Sequence, residues 1–278
     1  MMNQIRADFY RQRRTLGMYV IVLITIAYAV WSVTSKNVGG VTVHGDDNLF
    51  ARVAAKTWTV QFGVQAANMT DTLLLYFFIG VFVIVFGYEF SQKVYKNTLI
   101  SGISRLQFVL AKYLVMLLDL LILFTVNFGI ALLGGLAKGR ALGASWPSVL
   151  NTMGLSIVAA TFFLSVIFSL GVFLLIATGS MTIATIVVVI FPILVGVIHL
   201  IGEWSWLKYI DFLAVSQNLG VGSMEMSELP PYIAVSLGFL IVMIGSSNDK
   251  GSRRIRSHNN WKDIEGRTLQ YGCRKTYV

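Results

Sequence analysis

Gly87-Tyr88-Glu89-Phe90-Ser91-Gln92-Lys93-Val94-Tyr95-Lys96-Asn97-Thr98-Leu99-Ile100-Ser101-Gly102-Ile103-Ser104-Arg105-Leu106-Gln107-Phe108-Val109-Leu110-Ala111-Lys112 is the longest charged segment between two membrane-length apolar runs. The runs on either side reach the roughly 20 residues that a helix needs to cross a bilayer. Others follow the same pattern: 56% of the 278 residues are hydrophobic and only 13% are charged, against roughly a quarter in a soluble domain. Mean hydropathy is +0.72. The chain reads as an all-α, polytopic membrane protein, with this segment as its main polar interruption.

Six spans are predicted near 18–34, 71–90, 109–133, 149–177, 181–201 and 231–245, forming one membrane domain over 18–245. Trp31, Trp58, Trp146, Trp204 and Trp206 fall near the predicted edges, where an indole is half apolar and half wet. Pro147 and Pro230-Pro231 sit at span starts, where a missing N–H costs nothing. Pro192 lies inside the fifth span and is expected to kink it. With the N-terminus inside, sixteen of the 22 Lys and Arg fall on inner segments and six on outer loops. That bias puts both termini in the cytoplasm of a plasma membrane. The net charge of +9 therefore reads as membrane flanks, not as a nucleic-acid surface.

Residues 1–17 carry Arg6, Arg11, Arg13 and Arg14, with Ile5, Phe9 and Leu16 at loosely helical spacing. They fit an amphipathic helix on the inner membrane surface, with arginines facing anionic headgroups, or equally an ordinary basic flank. The apolar run from Met18 resembles a signal peptide, but no small-x-small cleavage site follows it, so it reads as a retained first span. In the outer loops, Asp46-Asp47 head a short capped helix. Glu203 to Leu219 reads as an interfacial or re-entrant helix, either a packed lid or a passive one. Asn68-Met69-Thr70 matches a glycosylation triplet of a kind common by chance. The sixth apolar run, about 15 residues from Pro231, is marginal for a span. It leads into a basic tail, 246–278, for which a lipid-binding role, disorder and an altered reading frame all stay open.

Asp119 is the one ionisable residue well inside an apolar run, which makes it a candidate intramembrane site. The plainer expectations are that it lies within the first two turns and reaches interfacial water, or that it bonds to a hydroxyl such as Thr161 or Ser165 of the fourth span. Ser156, Ala160, Ser165 and Ser169 of that span are spaced for close helix packing. Enzyme constellations are missing from the sequence: no HExxH, no Gly-x-Ser-x-Gly, no paired intramembrane carboxylates. Gly134-Gly135-Leu136-Ala137-Lys138-Gly139-Arg140 lacks the Lys-Ser/Thr end of a phosphate loop and follows an apolar helix. His44, His199 and His258 share no ligand spacing, and the single cysteine, Cys273, forms no internal disulfide or metal cluster. No catalytic residue, metal site or cofactor is expected on this chain.

Within the opening segment, Glu89, Lys93 and Lys96 extend the second span into a charged helix. Gly102 then terminates it, and Ser104-Arg105-Leu106-Gln107 forms a capping box for the next. Six spans, a basic N-terminus and Glu89…Lys96-Asn97-Thr98-Leu99-Ile100-Ser101-Gly102-Ile103-Ser104-Arg105…Lys112 resemble the permease subunit of ABC-2-type ABC transporters. Thr98, Ser104, Arg105 and Lys112 fit that family's loose pattern; Asn97 stands where glycine is usual, and Gly102 or Ile103 where proline often falls. The small size looks most like the bacitracin and lantibiotic immunity exporters of bacteria. The resemblance implies that the segment is a coupling helix seated on a separate ATP-binding cassette subunit, which binds the ATP and Mg. Glu89, Lys93 and Lys96 would make polar contacts to that partner, with Thr98, Ser104 and Arg105 in the same docking element. It also implies two permease chains, identical or paralogous, packed through the second and fifth spans, moving an amphipathic peptide or drug. An ion-coupled carrier using Asp119, and a non-transporting sensor or scaffold, are the alternatives that composition alone leaves standing.

Overall fold

The computed structural model describes residues 2–36, 58–91, 104–202, 204 and 206–245. The expected helix after Asp46-Asp47, the tail 246–278, and Lys93, Lys96 and Thr98 lie outside them. Helix α1 is Met2–Gln12, and α2 is Leu16–Ser35. Two short helices follow, α3 at Val60–Met69 and α4 at Asp71–Phe82; α4 continues through a π-helical turn, Val83–Gly87, into a last turn, Tyr88–Ser91. Then come α5, Arg105–Ala137, α6, Trp146–Thr178, and α7, Met181–Gly202. A buried helix α8, Phe212–Val221, precedes α9, Met226–Gly245.

By length and composition, α2, α5, α6, α7 and α9 can each cross a membrane. The bent pair made by α3 and the stretch Asp71–Gly87, with 59° between its halves, makes a sixth span if counted as one. In place of an unbroken outer loop between the first two expected spans, the structure has α3 at Val60–Met69. Ten residues with Gln61, Gln65 and Asn68 among them are too short and too polar to register as part of a span. Helix α9, the sixth expected span, is also longer than expected from Pro231. It begins with a 3₁₀ turn at Met226–Glu228 and reaches 20 residues.

The helix ends follow from local chemistry. The hydroxyl of Ser104 accepts from the Gln107 N–H, while the Gln107 side chain accepts from the Ser104 N–H. Those bonds satisfy two of the donors that a helix start leaves open. Thr59 caps α3 by accepting from Phe62 N–H, and Asp211 caps α8 by accepting from Ala214 N–H. Gly179 ends α6 at φ 70° with its N–H on the Leu175 carbonyl. That left-handed conformation costs glycine nothing.

Helix α6 is the central post. In its most apolar window 72% of the residues are buried, against 28% in α2 and α7 and 17% in α9, so the latter three form the lipid-facing rim. Ser156, Ala160, Ser165 and Ser169 are all fully buried on α6, as their spacing predicts. Helix α4 is enclosed too: Leu74, Leu75, Phe78, Val81, Phe82, Val85 and Phe86 have at most 1% exposure. Edge-on and stacked rings link it to α5 and α6 through Phe78–Phe124 and Phe82–Phe168.

Helix α8 is enclosed by the other helices. It packs in the bundle against α6 and α3, and it exchanges carboxamide caps with α3. Gln217 Nε2 donates to the carbonyl of Met69, the last residue of α3, and to Thr72 Oγ1. Gln65 Nε2 donates to the carbonyl of Val221, the last residue of α8. Each side chain thus covers a carbonyl that the other helix end leaves without an intrahelical partner. Ser216 donates to Asp71 Oδ2 at 2.9 Å, and Asn68 Nδ2 donates to Ser156 Oγ at 2.8 Å. The crossing is close because Gly220 faces Asn68; a Cβ there would overlap the Asn68 carboxamide. Phe191, Phe212 and Phe239 then tie α7, α8 and α9 into one aromatic group.

Candidate functional site at the stems of the α4–α5 connection

The chain between α4 and α5 carries the charged segment quoted above, and its two stems meet α1. Helix α1 turns Ile5, Asp8, Phe9 and Gln12 inward, with Asp8 and Gln12 each 3% exposed. These positions recur every three or four residues, one face of a helix. Arg6, Arg13 and Arg14 face outward. The inward face is therefore half apolar and half ionic, and its ionic half meets α5.

Lys112, on the first turns of α5, is fully buried. Its Nζ donates to Asp8 Oδ1 at 2.6 Å and to Glu89 Oε1 at 2.7 Å. Arg11, partly exposed, donates to the same two carboxylates, at 3.1 Å to Asp8 Oδ1 and 3.0 Å to Glu89 Oε1. Two carboxylates and two cations thus form a closed, formally neutral square across α1, the end of α4 and the start of α5. Two turns further along α5, Gln12 Nε2 donates to Asp119 Oδ2 at 2.7 Å. The partner of Asp119 is Gln12 of α1, not Thr161 or Ser165 of α6. Ser165 accepts instead from the Tyr113 hydroxyl at 2.8 Å.

Burial pushes the Asp8 carboxyl above the usual carboxylate range. The Lys112 charge and its hydrogen bond pull the other way, Glu89 adds to the rise, and Arg11 opposes it. The balance says that desolvation outweighs the ion pairs at this position, a common outcome for buried salt bridges. Three buried acceptors beside the square, Gln4 Oε1, Asp8 Oδ2 and Glu89 Oε2, have no hydrogen-bond partner among the described residues.

Of the docking residues expected from the sequence, the structure brings Glu89 inward, where its carboxylate is held by Arg11 and Lys112. A Glu89 that is 7% exposed is part of the internal square. Ser104 is the N-cap of α5 and Arg105 its first residue. Asp8, Arg11 and Lys112 escaped selection as site residues. Lys112 fits a family position and Arg11 reads as part of a basic flank, and neither reading joins them to Asp8. The available signal was the i, i+4 pair Asp8 and Gln12 on the same face as Ile5 and Phe9.

Membrane-length helices, a polar connection between the second and third spans, and stems bound to an N-terminal helix occur together in this chain. Residues 4–196, more than half of the chain, match the family described as ABC-2 family transporter protein. The chain belongs to that family. This ABC-2 chain is a membrane component of an ABC exporter and is not itself the catalytic subunit; membership implies an ATP-binding partner and a lipid bilayer around the helices. No curated protein matches the chain. Among the described residues no group of His, Cys, Asp or Glu side chains is arranged to hold a metal ion.

Proposed function

We propose that this ABC-2 protein is the permease of an exporter that moves an amphipathic or hydrophobic compound, of the antimicrobial-peptide or drug class, out of a bacterial membrane. A separate ATP-binding cassette subunit binds ATP and Mg and seats on the 87–112 segment, with Lys93, Lys96, Thr98 and Arg105 as its polar contacts. Both termini and that segment lie on the cytoplasmic side, in keeping with the Lys and Arg bias. The observation that carries the reading is the buried square of Asp8, Arg11, Glu89 and Lys112, together with the family match. It joins both stems of the connection to a third helix, as a device that receives force from outside the chain requires. Two permease chains form the path; the outward apolar face of α7, with Ile183, Ile186, Ile190 and Ile193 exposed, supports the fifth span as one contact. The second span is mostly enclosed within its own chain and contributes less.

Reversing the charge of the segment tests the reading. The Lys93→Glu/Lys96→Glu variant is expected to lose co-purification with its ATP-binding subunit, while the permease itself stays folded in detergent. Unchanged association and unchanged ATP-driven export would refute the docking role. An Asp119→Asn variant that loses transport with the ATPase complex intact would instead favour an ion-coupled carrier.

A further inference from the structure

The buried square is an expensive way to hold helices together. A cluster in which desolvation exceeds the attraction between charges contributes little net stability, and an apolar cluster of the same volume would do as well or better. What a closed set of charge-assisted bonds does supply is geometry: each bond is short and directional. Here the geometry fixes three segments at once. Lys112 ties α5 to α1 through Asp8 and to α4 through Glu89, and Arg11 ties α1 to α4 directly. The Gln12–Asp119 bond adds a second anchor on α5, which keeps α1 from rolling about the Asp8–Lys112 contact.

We propose that Asp8 and Arg11 are positioning residues for energy coupling: through Lys112 and Glu89 they make α1 and the two stems of the α4–α5 connection a single rigid body. A displacement of the connection is then passed on to α1 and along α5, and is not absorbed by one stem sliding against the other. Removing Asp8 leaves Lys112 with Glu89 alone and frees α1 from α5 at this level, so the stems respond separately. This inference rests on the reading of the chain as a permease driven by an ATP-binding subunit.

The test uses the full permease with its ATP-binding subunit in lipid nanodiscs, with spin labels at Tyr10→Cys and Leu106→Cys. Both positions are exposed, and Cys273→Ser removes the one native thiol. The unaltered square is expected to show one narrow distance population, the same without nucleotide and with ATP plus vanadate. Asp8→Ala is expected to broaden it and make it nucleotide-dependent. The same variant should lower kcat for ATP hydrolysis by the complex by about tenfold, in the range of ordinary coupling between sites. KM for ATP and subunit association should stay as they were. Arg11→Gln, at a partly exposed position, should give the same pattern in weaker form. The exchange Asp8→Lys/Lys112→Asp, which keeps the charge count, should restore the narrow population. A distance that already changes with nucleotide in the presence of the intact square would overturn the inference. So would an Asp8→Ala variant with one narrow population and undiminished kcat. If no ATP-binding subunit associates, the permease reading fails by itself, because the label distances in the permease alone still report whether the square holds α1 to α5.

Discussion

Gly220→Ala is the substitution whose cost the structure defines most closely. The added methyl group overlaps the Cγ, Oδ1 and Nδ2 atoms of Asn68, and Asn68 is fully buried with its amide bonded to Ser156. Forcing the carboxamide aside costs about 1–3 kcal/mol as overpacking, and losing the bond to Ser156 adds about 1 kcal/mol. Alanine in place of glycine in a helix returns about 0.5–1 kcal/mol. The net loss is about 1–3.5 kcal/mol, which lowers Tm by about 2–14 °C for a domain of this size. Thermal unfolding of the purified protein in detergent, followed by helical circular dichroism, measures it. The decisive arm is the same substitution made in an Asn68→Ala background. There the overlap is gone and only the propensity gain remains, so Gly220→Ala should become neutral or stabilising by up to about 1 kcal/mol. Equal destabilisation in both backgrounds would refute the reasoning, because it would mean that Asn68 is not what the methyl group meets.

Two further outcomes follow from buried polar groups. Asp8 titrates above its unfolded value of about 3.9, so its contribution to stability is full below that value and is lost as pH rises through the raised one. Tm of the native protein, measured relative to Asp8→Asn, should therefore increase as pH is lowered from 8 towards 4; a flat difference would show that Asp8 is not desolvated. Tyr113→Phe removes the donor to Ser165, whose own hydroxyl keeps its bond to the Phe162 carbonyl. It should cost about 1 kcal/mol, or about 2–4 °C in Tm, and the loss should vanish in a Ser165→Ala background.

Much of this architecture is local and could be read from the chain itself. Span lengths depend on hydropathy, the start of α5 on Ser104 and Gln107 three positions apart, and the end of α6 on Gly179. The tight packing of α6 is announced by its small residues. What could not be read depends on pairs far apart in sequence. Asp8 meets Lys112 across 104 positions and Glu89 meets Lys112 across 23. Reading α1 for its apolar residues alone sends every polar side chain to water or lipid headgroups, and so misplaces Asp8, Arg11 and Gln12. Likewise Gln65 and Gln217 look like polar residues of an outer surface until α3 and α8 are set against each other, when each covers the other's terminal carbonyl. Sequence periodicity finds the face of a helix, but complementarity between two polar faces appears only when both are in place.

The π-helical turn at Val83–Gly87 gives the end of α4 a dependence on residue count. An α-helix turns about 100° per residue, and a π turn inserts one extra residue into the winding. Everything beyond Gly87 is therefore rotated by about that angle relative to an uninterrupted helix. Glu89 owes its heading, toward Arg11 and Lys112, to this offset. Rewinding Val83–Gly87 as regular α-helix with every residue kept would undo the offset, with no change in composition or hydropathy. The carboxylate would then point about 100° away from both cations, and Lys112 would be left with Asp8 as its only counter-charge. The compass bearing of one side chain at the mouth of the connection is thus stored in the winding of an apolar turn just before it.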